Sequence, residues 1–377
     1  MKIGINTSCV VSGGAVTHLR SVIPLMLTML EPGDEIVFFG STESRRQIQP
    51  PEGTRWIEND RVGSGLVSRI WWENVQLPKL LKRNEIDVLF HSGNFAAFRA
   101  GIPQVIVIHN LAPYLANVIE GESIGQRLRL WLLRTLTKWS LPRVSATIFL
   151  SKWGRELVLG GAPEDDRWMP IIPFGCEHGA EAVSTGILDE IGIEADEYVL
   201  TVSHLYRYKR LDYLIDAYVK LGQRVANLPL VVVGAPYDRG YAERMRERAK
   251  ACQAPVHFTG ILGKDEVAEL MQKCRLFVFS SEAENLPITL LEAMSAECAI
   301  VTNRTCSMPE TCEDAVRYVN PTSVDGYVRE LEDALWDETI RKDLASRALA
   351  RSRDFRWANT ARQTIDFLRS VHARTAR

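Results

Sequence analysis

The sequence predicts an α/β protein of two doubly wound domains, each a parallel sheet covered by helices on both faces, facing one another across a cleft. Short apolar runs alternate with helical stretches, which is typical of parallel sheets. This alternation occurs twice along the chain. In addition, 377 residues exceed the length at which a single hydrophobic core stops growing, so two domains are expected.

Apolar runs in the N-terminal half predict five buried strands. A parallel strand that is buried on both faces reads as a short and nearly continuous apolar run. The runs cover residues 2–5, 35–39, 87–90, 104–108 and 146–150. A break near 170–175, followed by a polar stretch through Ser184, ends this half of the chain, and we assign residues 1–178 to the first domain.

Six further apolar runs predict the strands of a second domain, which we assign to residues 179–356. These runs cover 198–202, 230–233, 256–258, 276–279, 299–302 and 316–319. The last segment, 357–377, carries apolar residues at helical spacing. We expect it to form a closing helix that packs back toward the N-terminal domain.

Composition narrows the classes of function. A hydrophobic content of 46% and a charged content of 24% are ordinary for a soluble globular protein. The formal net charge of −2 argues against a nucleic-acid partner. No apolar run approaches the ~18 residues that cross a bilayer, and the N-terminus leads straight into a strand rather than a signal peptide. We therefore expect a cytoplasmic protein.

Seven cysteines are scattered along the chain without a CxxC pair. An odd number at such spacing predicts reduced thiols rather than a disulfide framework or a structural zinc site. The seven histidines show no HExxH or comparable ligand spacing. We predict that the protein binds no metal.

The most informative pattern is a pair of glutamates eight residues apart, Glu284 and Glu292. Glu284 follows the apolar run 276–279, so it lies in the loop at the carboxyl end of a strand, where open α/β sheets bind ligands. Glu292 lies in the first turn of a predicted helix, whose unpaired N–H groups around 286–290 form a cradle for phosphate. Carboxylates beside that cradle can accept hydrogen bonds from sugar hydroxyls.

An alternative interpretation of this segment is structural. Thr289 and Glu292 fit the capping-box pattern, in which a threonine caps the helix and a glutamate three residues later reaches back to the N–H of the cap. On this interpretation Glu292 completes a helix start and binds no ligand. The remaining motifs of the chain favour a ligand site.

Glycine-rich turns give a second, weaker signal. Gly13 and Gly14 follow the first predicted strand and precede a helix, where small residues let a ligand approach the backbone. Gly63-Ser64-Gly65 resembles half of a dinucleotide fingerprint, but it does not follow a strand, and we interpret it as a flexible turn. No predicted strand is followed by a complete GxGxxG, which disfavours a nicotinamide enzyme.

With these motifs in this order, nearly the whole chain resembles a retaining glycosyltransferase of family 4, which has the GT-B fold of two Rossmann-like domains. Glu284-x7-Glu292 matches the strongest signature of the family, and the runs 276–281 and 299–302 flank it as in relatives. The glycine loop at Gly13-Gly14, the strand-end His109, and Lys209 match three weaker motifs.

The resemblance implies catalytic roles for His109, Glu284 and Lys209. Lys209, together with Arg207, would neutralise a donor diphosphate and stabilise the charge that grows on it. Glu284 would hold hydroxyls of the transferred sugar, and His109 would contact the sugar and shape the acceptor side. Glu292 would bind the ribose diol. The implied donor-binding residues are Gly13, Gly14, Ser203, Arg207, Lys209, Asn285, Leu286, Pro287, Ile288, Thr289 and Glu292.

Two positions depart from the pattern of the family. His204 stands where relatives often have an arginine, so Arg207 is the substitute we assign as second cation. Pro287 stands where many relatives have a glycine, and proline removes one backbone donor. We expect the donor's sugar pocket to differ from that of the glycine-bearing relatives.

The implied activity is transfer of a hexose from a GDP- or UDP-linked sugar to a hydroxyl of a glycan or lipid-linked acceptor, as in bacterial surface polysaccharide synthesis. No metal or other cofactor is implied. Two alternatives are a nucleotide-sugar epimerase of the same fold and a non-catalytic nucleotide-binding partner subunit. The glutamate motif disfavours the first, and the joint presence of Glu284, Lys209 and His109 disfavours the second.

Residues 123–155 carry seven basic and no acidic side chains, interleaved with leucine and tryptophan. A helix of this composition suits an anionic membrane surface, whereas the alternative is a core-packing helix with a solvated basic face. Trp71-Trp72, close to Arg69, would add to such a surface. We expect peripheral contact with the inner face of the cell membrane.

Overall fold

The computed structural model describes residues 1–10, 13–59, 65–161, 165, 167–178 and 184–375. The chain forms two compact units. Met1–Gly175 and Trp357–Arg377 make up the first unit, and Cys176–Arg356 makes up the second. The chain therefore leaves the first unit after Gly175 and returns to it at Trp357.

The first unit contains a six-stranded parallel sheet. Its strands are β1 (Lys2–Asn6), β2 (Glu35–Gly40), β3 (Thr54–Glu58), β4 (Val88–His91), β5 (Gln104–Ile108) and β6 (Ala146–Phe149). Their order is β3-β2-β1-β4-β5-β6, so the direction of winding reverses between β1 and β4. Such a reversal opens a crevice at the carboxyl ends of the strands, where doubly wound sheets bind ligands.

Helices cover the strands of the first unit, as the alternating sequence pattern requires. They are α1 (Gly14–Leu27), α2 (Thr42–Ile48), α3 (Leu66–Val75), α4 (Leu77–Arg83), α5 (Ala116–Glu120), α6 (Ile124–Ser140) and α7 (Lys152–Leu159). The final helix of the chain, Trp357–Thr375, packs against α1. It is held by Thr360, whose Oγ1 donates to the carbonyl of Pro173 at 2.8 Å, and by Arg369, which donates to the carbonyl of Met29 at 2.9 Å.

The second unit repeats the architecture. Its strands are β7 (Val199–Val202), β8 (Leu230–Val233), β9 (Val256–Gly260), β10 (Leu276–Phe279), β11 (Ile300–Asn303) and β12 (Arg317–Val319). They are all parallel, in the order β12-β11-β10-β7-β8-β9. The reversal of winding falls between β7 and β10, and the predicted donor-binding residues of this unit lie in the loops after these two strands and at the start of α12.

Eight helices among the described residues of the second unit flank this sheet. They are α8 (Ile187–Ile191), α9 (Leu211–Leu221), α10 (Arg239–Ala249), α11 (Lys264–Lys273), α12 (Ile288–Ser295), α13 (Met308–Cys312), α14 (Val324–Trp336) and α15 (Glu338–Ser352). Helix α9 packs with α10 and α14, whereas α12 packs with α11 and α15. The final helix, numbered α16, is the Trp357–Thr375 segment of the first unit.

The predicted fold class, two doubly wound α/β domains, is confirmed. Apolar runs predicted eleven strands of the described residues. The twelfth, β3, was not predicted because its residues Thr54–Glu58 are half-buried or exposed at the edge of the sheet. An edge strand contributes little to the core, so it has no continuous apolar run. Within the described part of the chain, none of the helices combines the length and apolarity that crossing a bilayer demands. All seven cysteines are free thiols.

Candidate active site

Lys209 and Glu284 meet at the carboxyl ends of β7 and β10. Lys209 closes a short 3-10 turn, Arg207–Lys209, that follows β7, and Glu284 lies in the loop between β10 and α12. The Nζ atom of Lys209 donates to Oε1 of Glu284 at 2.6 Å. Only 15% of each side chain is exposed. Lys209 and Glu284, which are 75 residues apart in the chain, thus form one partly buried ion pair.

The two loops that carry this pair are tied together by backbone contacts. Ser280 donates its hydroxyl to the carbonyl of Lys209 at 2.6 Å, and the N–H of Glu282 donates to the carbonyl of Tyr208 at 2.9 Å. A second ion pair joins the same loops, because Arg210 contacts Glu282 at 3.1 Å. The position of the Lys209 ammonium is therefore fixed by main-chain and charged contacts on both sides.

Two buried polar side chains, Asn303 and Tyr327, hold the loop after β10 in place. The amide of Asn303, at the end of β11, donates to the carbonyls of Ser280 and Ser281 at 2.5 and 3.0 Å. The hydroxyl of Tyr327 donates to the Oδ1 atom of Asn303 at 2.7 Å. Both side chains are fully buried. No sequence pattern marked these two residues, because their role depends on neighbours from three different elements.

Helix α12 begins at Ile288, and Pro287 is the residue that precedes it without a side-chain cap. Thr289 lies inside the helix rather than at its cap, so the capping box of the structural alternative is not formed. The first N–H groups of a helix have no acceptor within the helix. In α12 the N–H groups of Leu290 and Leu291 donate to the carbonyl of Pro287 at 3.0 and 3.2 Å, which leaves those of Ile288 and Thr289 without an acceptor inside the helix. The preceding residues Asn285 and Leu286 are buried.

Glu292 is half-buried on α12 and shows the most strongly perturbed carboxyl group of the site. Burial raises its pKa to about 7, the nearby Lys264 acts in the opposite direction, and Glu177 adds to the rise. A carboxyl group whose pKa burial raises in this way is a candidate for binding a ligand.

His204 and Arg207 do not act as a matched pair of cations. The Nδ1 atom of His204 accepts from the N–H of Ala235 at 3.1 Å, and burial together with the charge of Lys209 lowers the pKa of the ring. His204, where the resemblance led us to expect a cation, is therefore neutral at pH 7. Arg207 is largely exposed, with 58% of its side chain accessible, and contacts Asp238 at 3.3 Å.

Ser203, another predicted donor-binding residue, lies where the loops after β7 and β8 touch. Its N–H donates to the carbonyl of Val233 at 2.9 Å. A side chain at Gly234 would place its Cβ atom 2.0 Å from the carbonyl oxygen of Ser203. Gly234 also has a φ of +149°, so only glycine permits this close approach.

The glycine loop of the first unit precedes α1. Gly13 has a φ of +73° and occupies the cap position of the helix, and Gly14 is the first helical residue. Both are exposed, and nothing lies within 4 Å of a Cβ atom built at Gly13. Ser12 lies outside the described residues, as do residues 63 and 64 of the predicted turn at Gly63-Ser64-Gly65.

His109 follows β5 in the first unit and belongs to an aromatic cluster. Its ring centroid lies 5.4 Å from that of His18 and 5.3 Å from that of Phe174. Burial lowers the pKa of His109 to about 4, and it lowers the pKa of His18 well below the ordinary range, with the neighbouring His109 adding to the effect. Both imidazoles are neutral at pH 7. No spacing in the sequence indicated that His18 joins His109.

The first unit also buries a charged network that sequence patterns did not mark. Glu73 of α3 is fully buried and accepts from Asn6 at 2.8 Å, from Ser8 at 2.6 Å and from Arg69 at 3.1 Å. The ring of His91 contacts Asn6 at 3.0 Å. These contacts hold the segment after β1 against α3 and β4.

The basic segment 123–155 is not one helix. It comprises α6, the strand β6 and the first half of α7. Arg155 is buried, and so is Leu130. The prediction that Trp71-Trp72 would add to such a surface is wrong for Trp72, which is fully buried, and the neighbouring Arg69 pairs with the buried Glu73. Trp71, by contrast, is 45% exposed.

The structure thus brings Lys209 and Glu284 into direct contact, with Arg207, Ser203 and Glu292 on neighbouring loops and helices of the second unit. Gly13, Gly14 and His109 lie in the first unit. Within the described ranges, no group of three or more His, Cys, Asp or Glu side chains is arranged to hold a metal ion.

Two α/β units, each with a parallel six-stranded sheet, are the architecture of the GT-B class of glycosyltransferase folds, and solved glycosyltransferases share this fold. A family model described as "Glycosyltransferase Family 4" matches residues 12–175, and one described as "Glycosyl transferases group 1" matches residues 187–351. The chain belongs to glycosyltransferase family 4.

Similarity to individual proteins is more limited in extent. The serotype-specific mannosyltransferase WbdA of Escherichia coli is 34% identical over 176 residues, which are 45% of this chain and 21% of that relative. The O-antigen chain mannosyltransferase B of Escherichia coli is 26% identical over 185 residues, 48% of each protein. The chain therefore spans about a fifth and about half of the length of these two relatives.

Among solved structures, HepE from Anabaena in complex with UDP and glucose superposes with a TM-score of 0.76. It covers 98% of this chain and 100% of its own, at 17% sequence identity. At that identity the similarity shows the common fold.

Proposed function

We propose that the protein is a retaining glycosyltransferase that moves a hexose from a GDP- or UDP-linked sugar to a hydroxyl group of a glycan or lipid-linked acceptor. The observation that carries the proposal is the contact of 2.6 Å between Lys209 and Glu284 at the carboxyl ends of β7 and β10. A cation for phosphate and a carboxylate for sugar hydroxyls stand side by side, next to the start of α12.

The proposed chemistry requires positive charge where the donor breaks. When the bond between the anomeric carbon and the diphosphate oxygen opens, its electron pair stays on the phosphate oxygen. The Lys209 ammonium and the first N–H groups of α12 would stabilise this growing negative charge. Because these groups supply the compensation, we propose that transfer needs no metal ion, and that activity persists in the presence of EDTA.

Ligand binding would rearrange the ion pair. A diphosphate carries more negative charge than a single carboxylate and would compete with Glu284 for the Lys209 ammonium. Glu284 would then be available to accept hydrogen bonds from hydroxyls of the sugar that is transferred. Glu292 would accept from the two ribose hydroxyls, and the neutral His109 would contribute to the acceptor side.

Known relatives support the choice of substrate class. Two of them are named as mannosyltransferases, one of which acts on the O-antigen chain. The structural neighbour HepE binds UDP and glucose. We therefore propose a role in the synthesis of a bacterial surface polysaccharide, with mannose and glucose as the first sugars to test.

Release of nucleoside diphosphate from donor alone tests the proposal. The full-length protein is incubated with GDP-mannose, UDP-glucose and UDP-N-acetylglucosamine, and the products are separated by chromatography. An active transferase releases GDP or UDP slowly, with water in place of the acceptor. An epimerase converts the sugar without releasing nucleotide, and a non-catalytic subunit binds a nucleotide and leaves every donor intact.

We also propose that the first unit contacts an anionic membrane. Ile124, Leu128 and Trp131 lie on one side of α6 and are 85%, 64% and 62% exposed. Exposed cations surround them at Arg127, Arg129, Arg134, Lys138 and Arg143. Large apolar side chains that are surrounded by basic residues bind at the boundary between lipid headgroups and acyl chains.

The same surface extends beyond α6. Phe98 lies between two helices: its ring centroid is 4.0 Å from that of Trp139 on α6, and its N–H donates to Asn74 on α3 at 2.7 Å. Helix α3 adds Val67 and Trp71, which are exposed. We name this set of side chains on α3, Phe98 and α6 the basic apolar surface, and its exposed aromatic rings favour the membrane interpretation over a core-packing helix.

A further inference from the structure

Arg69 reaches from α3 to the point in the first unit where the direction of winding reverses. Its Nε atom donates to Oγ of Ser8, in the segment after β1, at 3.0 Å and to Oε1 of Glu73 at 3.1 Å. The guanidinium lies over the ring of Phe95, in the segment after β4, 4.2 Å from its centroid. The segments that follow β1 and β4 thus hold one cation at the carboxyl ends of neighbouring strands, where doubly wound sheets bind ligands.

These contacts leave the two terminal nitrogens of Arg69 unused. A guanidinium has five N–H donors, and Ser8 and Glu73 share the single N–H of Nε. Among the residues that the structure describes, neither terminal nitrogen has a hydrogen-bond partner, and neither is sealed from solvent. The side chain is 11% exposed, and the end of the guanidinium belongs to that open part.

Packing holds the guanidinium in one orientation and keeps room beside it. Phe95 and Glu73, which contact it, are both buried. A Cβ atom built at Gly93 would stand 3.5 Å from Nη2 of Arg69 and 2.7 Å from Sγ of Cys9, so a larger residue there would crowd this edge. A charged fork that is fixed before a ligand arrives lowers the entropic cost of binding.

The alternative is a purely structural role, since a buried carboxylate needs a cation. An arginine that serves only to neutralise a carboxylate is expected to donate to both of its oxygens. Arg69 instead gives Glu73 one shared N–H, on the oxygen that already accepts from Asn6 and Ser8. Within the described ranges, Oε2 of Glu73 has no hydrogen-bond partner. This geometry favours a second role for the unused end of the guanidinium.

We propose that the terminal nitrogens of Arg69 bind a phosphate group of a substrate, an inference that rests on the proposed transferase function. The planar fork of a guanidinium matches two oxygens of a phosphate, and both hydrogen bonds are assisted by charge. The proposed reaction has two sources of phosphate, the diphosphate of the donor and a phosphate that joins an acceptor glycan to lipid. Because Lys209 and the start of α12 are assigned to the donor, we expect the acceptor phosphate at Arg69.

Calorimetry on the full-length protein tests the site. GDP and UDP represent the donor. Mannose 1-phosphate and glucose 1-phosphate, titrated with saturating GDP or UDP present, represent the acceptor phosphate, and methyl α-mannoside is the neutral counterpart. Arg69→Lys keeps a cation beside Glu73 but loses the planar fork, and we expect it to weaken hexose phosphate binding at least about fivefold while the binding of methyl α-mannoside stays within about twofold.

A second variant and a control accompany this measurement. Arg69→Gln combined with Glu73→Gln removes both buried charges together, so the site can be tested without leaving either charge unpaired, and we expect a loss of at least about tenfold in hexose phosphate affinity. Arg83→Gln removes an exposed arginine from α4 of the same unit and should change no affinity by more than about twofold. Urea unfolding of each variant confirms that it is folded.

The pattern of losses identifies the source of the phosphate. A loss confined to the hexose phosphates supports the acceptor phosphate, and a loss of GDP and UDP affinity supports the donor diphosphate. The inference is overturned if both variants bind every phosphate ligand as the wild-type protein does, or if methyl α-mannoside loses as much affinity as the hexose phosphates. Donor hydrolysis by the wild-type protein reports on the proposed function separately. Its absence would contradict the transferase proposal, whereas hydrolysis with unchanged phosphate binding in both variants would contradict the Arg69 site alone.

Discussion

The ammonium of Lys209 lies 2.6 Å from the carboxylate of Glu284, and both side chains are 85% shielded from solvent, since 15% of each is exposed. Each charge is therefore the main partner of the other in the ligand-free protein. Partly buried charges lose much of their hydration, so removing one partner leaves the other poorly compensated. This relationship determines what substitutions at the two positions should do.

The first prediction concerns stability. Lys209→Met leaves the Glu284 carboxylate without its cation, and we expect the free energy of unfolding to fall by about 1–3 kcal/mol. Adding Glu284→Gln removes the uncompensated charge, so the double variant should recover most of the loss. Urea unfolding of the four proteins measures the coupling between the two positions. If the loss of unfolding free energy in the double variant equals the sum of the losses in the two single variants, the two side chains do not stabilise one another.

The second prediction concerns the donor diphosphate. Lys209→Ala removes the cation closest to the proposed phosphate position, and we expect affinity for GDP or UDP to fall about 10–100-fold, with slower donor hydrolysis. Arg207→Ala is the matched comparison: the sequence assigned Arg207 as the second cation, but its side chain is 58% exposed and pairs with Asp238. We expect it to change affinity by no more than about threefold. Equal donor affinity and turnover in the Lys209 variant would remove that residue from the site.

The third prediction separates catalysis from nucleotide binding. We expect Glu284→Ala to abolish sugar transfer while GDP or UDP binding is largely preserved, because the proposed role of Glu284 is to hold the transferred sugar. Calorimetry with nucleotide and chromatography of donor products measure the two properties on the same preparation. A variant that keeps full turnover would contradict the role of Glu284 at the sugar.

Sequence patterns anticipated the fold closely because buried parallel strands leave a local signature. The runs at 104–108, 230–233 and 276–279 coincide with β5, β8 and β10. Strand β3 lacked that signature, since Trp56 and Ile57 are only half-buried. The run at 146–150, inside the basic segment 123–155, was likewise predicted as a strand, and Ala146–Phe149 is the fully buried β6.

The candidate site was anticipated only where its residues lie in a local motif. Glu284 and Glu292 are marked by their spacing, and their assigned roles remain predictions. Asn303 and Tyr327 gave no local signal, because the contacts that define them join elements 23 and 24 residues apart in the chain. The same holds for Glu73, whose partners Asn6 and Ser8 lie more than 60 residues away.

The fourth prediction uses the pKa of Glu292, which burial raises from 4.5 to about 7. The folded protein therefore binds this proton more tightly than the unfolded chain does. The resulting stabilisation is fully present below about pH 4.5 and is lost as the pH rises through about 7. Glu292→Gln cannot ionise, so from pH 5 to pH 8 we expect its free energy of unfolding to rise relative to wild type by roughly 1–3 kcal/mol.

Unfolding titrations of both proteins across this pH range measure that difference. The buried neutral histidines His91 and His109 shift stability in the opposite direction at acid pH, since the pKa of each is lowered to about 4. They are present in both proteins, so their effect cancels in the comparison. A difference that does not change with pH would contradict a raised pKa at Glu292.

The fifth prediction concerns the basic apolar surface. Leu128→Ser together with Trp131→Ser removes two exposed apolar side chains from α6 and leaves every cation in place. We expect the wild-type protein to float with vesicles that contain phosphatidylglycerol at low salt, and the partition coefficient of the double variant to fall at least about tenfold, because apolar insertion is lost. Trp336→Ser, an exposed aromatic in the second unit, is the control and should float like wild type. Raising the salt concentration should weaken binding further, since the remaining attraction is between cations and anionic lipid.

Failure of the wild-type protein to associate with these vesicles would contradict the membrane proposal, and equal flotation of the double variant would place the contact elsewhere on the protein.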